Sequence, residues 1–194
     1  MRSDNSNIKV IFKEVSFSKK EIGIIESVFH KATLTKGSLL LKPGEIADAQ
    51  YYILEGCLRS FYVDIHGKEH TVQFGISDWW ISDYTSFFSD TKSIMHIEVI
   101  QDAVVYKISK ADKEYLYQQI PKIESFFRVK LERAFAAFQR RILSGLSLTA
   151  KERYLRFIKR YPNIEKSVKN YHIASYLGIT TQSLSRIRKE LIHS

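Results

Sequence analysis

Thr181, Gln182, Ser185, Arg186 and Lys189 carry hydroxyl, amide, guanidinium and ammonium groups at spacings that bring them onto one face of a helix. Side chains of these types hydrogen-bond base edges and phosphates. The residues before them supply what is needed to present such a face. Ile173 and Leu177, four apart, share the buried side of a first helix, and Ala174 is small where a second helix must cross closely. Gly178 stands where the chain turns and a positive φ costs little. Ile179 plugs the turn, and Thr180 is placed to cap the next helix. That helix buries Leu184, Ile187 and Leu191, at i, i+3 and i+7. The pattern predicts a helix-turn-helix whose second helix enters the major groove of DNA. An αα-hairpin with only a packing role would use the same apolar positions and the glycine, but has no need of the polar outer face.

Charge points the same way. Residues 1–127 hold 15 Lys+Arg and 17 Asp+Glu, a net of −2, whereas residues 128–194 hold 15 and 4, a net of +11. Near-absence of acids from a basic segment is the electrostatic footprint of a polyanion-binding region.

Other chemistry finds little support. The histidines are His30, His66, His70, His96, His172 and His193. His66 and His70 are four apart but straddle a turn signal, and no His-x-His pair with a following Glu is present, so a metal centre is not expected. Cys57 is the single cysteine: it has no partner for an internal disulfide or a thiolate cluster, and its apolar, strand-like setting predicts a buried, inert thiol. There is no GxGxxG, phosphate loop or GxSxG motif. Asp78 and Asp83, and Glu45 and Asp48, read as turn and edge residues. Neither enzymatic activity nor a cofactor is expected. No window of eighteen unbroken apolar residues exists, and Met1–Ser6 lacks an apolar signal core, so no membrane partner and a cytoplasmic location are expected.

The elements that must position these residues fall in a clear order. Residues 18–32 read as a helix capped by Ser18, with Ile22, Ile25 and Phe29 on one face. From about 33 to 109 short β-rich runs alternate with turn signals: Lys42-Pro43-Gly44-Glu45, Glu55-Gly56, Asp64-Ile65-His66-Gly67 and Ser89-Asp90. The Asp64 to Gly67 loop predicts a hairpin, and the spacing of the runs an antiparallel barrel or roll. Lys110 to Gln119 reads as a short helix, and Pro121 suits the first turn of the next. Ile123 to Leu143 has neither Gly nor Pro, and would span about 30 Å as a helix. Phe127, Leu131, Ala134, Phe138 and Ile142 recur along it as a heptad-like seam, which predicts a dimer interface. Gly145 and Ser147 suggest a hinge, and Ser147 to Tyr161 another helix, stopped by Pro162-Asn163. The fold class is α+β: residues 1–120 a sensor roll, 121–145 a dimerisation helix, 146–194 the helix-turn-helix domain. With three residues after Leu191, no strand beyond the second helix is expected to join the reader.

This order resembles the cAMP receptor protein/FNR (Crp/Fnr) family of bacterial transcription regulators over nearly the whole chain. The resemblance rests on Lys42-Pro43-Gly44-Glu45 before a strand, on Tyr52-Ile53-Leu54-Glu55-Gly56-Cys57-Leu58-Arg59, and on Ile173 to Arg188. It implies a cyclic-nucleotide-binding-like roll that senses a small-molecule effector, homodimerisation through the long helix, and a winged-helix-like reader placed in successive major grooves of a palindrome. Thr181, Gln182 and Arg186 would take the family's three base-reading positions. The nucleotide-binding members' Gly-Glu and Arg-Ser/Thr pairs correspond here to Ser82-Asp83 and Ser93-Ile94. Asp83 can still accept from a hydroxyl, but Ser93 lacks the guanidinium fork that holds a phosphate, so weak or no cyclic-nucleotide binding is expected. Trp79, Trp80, Tyr84, Phe87 and Phe88 make the same region aromatic. The alternative is a ligand-binding or protein-interaction barrel whose helical C-terminus serves only assembly.

Overall fold

Ser18 Oγ accepts the backbone N–H of Glu21 at 3.3 Å, and the Glu21 carboxylate accepts the backbone N–H of Ser18 at 2.7 Å. This capping box starts α1, Lys19–Val28. The computed structural model describes residues 8–192; the N-terminal Met1–Ser6 and His193 lie outside the described residues. Helix α1 stops earlier than residue 32. Phe29 is already extended, and His30 enters strand β1, His30–Leu34, because backbone pairing with a long strand outcompetes another helical turn.

That partner is β6, Met95–Ser109. The remaining strands are β2 (Leu39–Leu41), β3 (Ala49–Val63), β4 (Glu69–Gly75) and β5 (Trp80–Ile81). The sheet runs β1-β6-β3-β4, with β2 on β6 and β5 on β3. β1 lies antiparallel to β6 with His30 opposite Lys107 and Leu34 opposite Ala103. Asp64 to Gly67 forms the expected hairpin: Asp64 N–H donates to Lys68 O and Gly67 N–H to Asp64 O, both at 3.0 Å.

Glu55-Gly56 is not a turn. β3 passes straight through it, with Gly56 at φ +88°. A Cβ there would lie 2.2 Å from Asp102 O and 2.6 Å from Ala103 Cα. Glycine is required because two backbones approach, and the expected pair of strands becomes one. A short helix, α2 (Tyr84–Ser89), also occupies the aromatic stretch ahead of Asp90.

The chain divides into two compact units, Met1–Phe61 with Phe74–Glu132, and Tyr62–Gln73 with Arg133–Ser194. The first unit has two cores. Ile53, Leu58, Ile97, Val99 and Val105 fill the roll itself. Phe12, Ile25, Phe29, Tyr106, Leu116 and Ile123 pack beneath it, where α3 (Lys110–Gln119) and the start of α4 (Pro121–Ser147) lie. Phe12 meets Phe126 at 4.8 Å and Phe29 at 5.9 Å between ring centroids. Cys57 is buried, and burial pushes its thiol up to about 12.

Helix α4 continues through Gly145, so no hinge forms at that residue. The chain turns after Ser147, and Thr149 caps α5 (Ala150–Arg160) in a second capping box. Hydrogen bonding to Thr149 holds the Glu152 carboxyl below its ordinary range. Then follow α6 (Ile164–Ser167), α7 (Asn170–Leu177) and α8 (Thr181–Ile192). Tyr154, Phe157, Ile164, Ile173, Ala174, Leu177, Leu184 and Ile187 are buried in this unit.

Candidate nucleic-acid interface

Gly178 ends α7 in the left-handed region, φ +66°, with its N–H shared between Ala174 O and Ser175 O. Ile179 N–H returns to Ala174 O at 3.0 Å. The turn is therefore tight and needs a residue that tolerates positive φ. Thr180 Oγ1 accepts the N–H of Ser183 at 3.1 Å, which starts α8. Leu184 and Ile187 face inward and are buried.

On the other side, Thr181, Gln182, Ser185, Arg186 and Lys189 line one shallow surface. All but the partly covered Thr181 are exposed. Thr181 Oγ1 donates to the Gln182 side-chain oxygen at 3.2 Å. Arg186 stands 3.9 Å from Glu190 and is 76% exposed, so it is free to swing toward a ligand. The structure thus brings together every residue picked out for this face, with Thr180 at its N-terminal edge.

Three anchors escaped the sequence reading. Arg188 donates to Asn170 Oδ1 at 2.6 Å and Tyr154 Oη at 3.1 Å, and pairs with Glu165 at 2.9 Å, tying α8 to α5, α6 and α7. Ser175 Oγ donates to Glu69 O at 2.7 Å and accepts Thr71 N–H at 2.8 Å. Arg141, on α4, donates to the carbonyls of Val72, Thr71 and Tyr176 while stacking 4.1 Å over the Tyr176 ring. The 62–73 hairpin is thereby fastened to the helix-turn-helix. No one-residue motif announces such a link; it depends on chain segments far apart in sequence.

The other sites fare differently. Along α4, Leu131, Ala134, Phe138 and Ile142 are exposed. Phe135, 71% exposed, and Leu146, 80%, extend the same apolar stripe. Phe127 does not belong to it. It is buried in the first unit's core, 5.1 Å from the Trp80 ring and 6.0 Å from Tyr117.

In the roll, Ser82, Asp83 and Ser93 are buried, whereas Ile94 is exposed. Asp83 accepts the N–H groups of Thr85 and Ser86 and so caps α2. Ser93 Oγ donates to its other carboxylate oxygen at 2.6 Å. Ser82 Oγ donates to Ala49 O at 2.8 Å. Ser93 and Asp83 thus bond each other, and Ser82 is held by the Ala49 backbone. His70 pairs with Asp64 at 2.8 Å; among the described residues no three His, Cys, Asp or Glu are grouped to hold a metal. Among the described residues no helix is long and apolar enough to cross a membrane.

With this geometry in place, relatives become informative. Residues 31–119 match the cyclic nucleotide-binding domain family. The anaerobic regulatory protein of Haemophilus influenzae is 22% identical over 187 residues, covering 89% of this chain and 71% of that protein. The chain is thus similar to Crp/Fnr proteins, without a match close enough to do more than place its fold. Among solved structures, FixK2 from Bradyrhizobium japonicum superimposes with a TM-score of 0.73 at 17% identity, covering 86% of this chain and 85% of its own. A Crp/Fnr regulator from Eubacterium rectale gives 0.68 at 14% identity, covering 91% and 85%. These likenesses establish the Crp/Fnr fold: a cyclic-nucleotide-binding-like roll, a long helix and a helix-turn-helix.

Proposed function

We propose that this chain is a cytoplasmic, homodimeric transcription regulator of the Crp/Fnr type that reads a palindromic operator through α8. The observation that carries the reading is the outer face of α8. Its cap, turn and buried side are all satisfied internally, which leaves Thr181, Gln182, Ser185, Arg186 and Lys189 with no packing task. Arg186 can present two N–H groups to one guanine edge, and Gln182 two hydrogen-bonding groups to adenine. The exposed stripe of Leu131, Phe138 and Ile142 supports pairing of two copies. Two readers then sit one helical turn apart, about 34 Å.

The roll is proposed to sense an effector other than cAMP. In the corner that would hold a cyclic phosphate, Ser82 is bonded to the Ala49 carbonyl, Asp83 to the Thr85 and Ser86 N–H groups, and Ser93 to Asp83. A carboxylate there repels a phosphate.

Selection of duplex DNA from a random pool, with wild type and Arg186→Ala side by side, tests the reading. A two-fold symmetric site is expected, and Arg186→Ala should lose about 1–3 kcal/mol at one base position per half-site. No enrichment at low salt, with or without cell extract, sinks the proposal and favours a tail that serves only assembly.

A further inference from the structure

Gln182, Arg186 and Glu190 recur every fourth residue and so follow one line along α8. The first two present an amide and a guanidinium; the third is a carboxylate on a surface read as meeting a polyanion. Residues 128–194 hold only four acids, and three of them serve the fold. Glu132 pairs with Arg128 at 2.6 Å along α4. Glu152 closes the Thr149 cap. Glu165 accepts from Tyr154 Oη at 2.8 Å and pairs with Arg188 at 2.9 Å.

Local physics disfavours Glu190 on two counts. It lies in the last turn of α8, which ends at Ile192, where the helix dipole favours cations over a carboxylate. It also follows the exposed Lys189, and repels the phosphates that the lysine attracts. What Glu190 does meet is Arg186. Its Oε1 lies 3.9 Å from Arg186 Nε, with the two side chains 50% and 76% exposed. The contact falls on the Nε edge of the guanidinium, so the two Nη groups at its tip stay available as a fork. In water an exposed pair one turn apart is weak. Inside a DNA groove, where water is displaced, the same attraction grows.

We propose that Glu190 is a positioning residue for Arg186 and sets how sharply α8 tells its own site from any other duplex. Compensating the guanidinium charge weakens its pull toward the nearest phosphate. Engaging Nε leaves the Nη fork pointing outward, the end-on arrangement that matches guanine O6 and N7. Lys189 keeps the phosphate contact, which carries no sequence information. Affinity for all DNA falls, but discrimination rises: a site without the guanine leaves the fork unmatched while Glu190 still repels the backbone. This inference rests on the use of α8 as a DNA reader.

Fluorescence anisotropy of the full chain on the selected duplex tests this. The guanine assigned to Arg186 is the position whose preference Arg186→Ala abolishes. Binding is measured on the selected duplex, on one with that guanine replaced in both half-sites, and on a random duplex. Glu190→Gln should bind the random duplex about threefold or more tighter and lose about threefold or more of the preference for guanine. In an Arg186→Ala background the same change should leave base preference untouched, because the carboxylate acts through the arginine. Glu132→Gln, which removes an equal charge and the same kind of i,i+4 pair on α4, should change neither quantity. Unaltered preference in Glu190→Gln, or equal tightening on every sequence, would overturn the proposal. Failure of the wild type to select any symmetric site is a separate result: it overturns the reading of α8, and this inference with it.

Discussion

The Ser93 hydroxyl donates to the Asp83 carboxylate at 2.6 Å, and the two side chains are 2% and 1% exposed. Asp83 spends its other oxygen on the Thr85 and Ser86 N–H groups at the start of α2. A buried carboxylate is tolerated only when it is supplied with donors. Removing the hydroxyl in Ser93→Ala should therefore lower stability by about 1–3 kcal/mol in urea unfolding. Wild type should give no calorimetric heat with cAMP or cGMP. Micromolar binding of either would show that this corner opens to admit a phosphate.

The apolar residues of α4 should separate into two classes. Phe138→Glu puts a charge on the exposed stripe and should yield a monomer by light scattering, with operator binding greatly weakened. Phe127→Ala should leave the assembly state alone and instead cost about 3–5 kcal/mol of stability, because it empties part of the first unit's core. If Phe138→Glu stays dimeric, the seam lies elsewhere.

Gly56→Ala should destabilise the roll by about 2–4 kcal/mol, from the positive φ and from the contact with Asp102 and Ala103 together. The same change at Gly145, where an added Cβ meets nothing within 4 Å and the backbone is helical, should be neutral or slightly stabilising. Urea midpoints of the two variants give the comparison directly.

Lys113 offers a pH test. Its ammonium lies 4.4 Å from the Phe127 ring centroid and 5.4 to 5.8 Å from those of Phe87, Phe88 and Tyr117. Burial among these rings pulls its pKa from 10.5 down to about 8. Below pH 8 both folded and unfolded chains carry the charge, and the folded one bears the cost of burying it. Between 8 and 10.5 the folded chain sheds the proton first, so this group's contribution to stability rises with pH. Lys113→Met should raise stability at neutral pH by about 1–3 kcal/mol and flatten that rise. Urea unfolding on either side of the window measures both effects. An unchanged pH profile would mean that Lys113 reaches water.

What could be read from the sequence was whatever local chemistry decides. Lys110–Gln119 forms its helix, Asp64 to Gly67 its hairpin, and Thr180 its cap, because each depends on residues a few places away. Glu55-Gly56 looks like a turn until Asp102 is brought against it. Phe127 falls in step with Leu131 and Phe138, yet the stripe's first member faces Trp80 and Tyr117, because the roll covers the start of α4. Ser93 and Asp83 looked like separate remnants of a ligand site. Their mutual hydrogen bond shows only when the strands around them are folded. The polar outer face of α8 was legible for the opposite reason: an outward face needs no tertiary partner.

Arg141 and Ser175 bind the hairpin's backbone rather than its side chains. The helix-turn-helix module is thus discontinuous in sequence, with part of it inserted in the middle of the roll. Anyone building hybrid regulators by joining the N-terminal part of one protein to the C-terminal part of another would cut this module in two. The residues to transplant are 62–73 together with those from 133 onward, and since carbonyls and amide groups form the joint, the graft's length and register matter more than its composition.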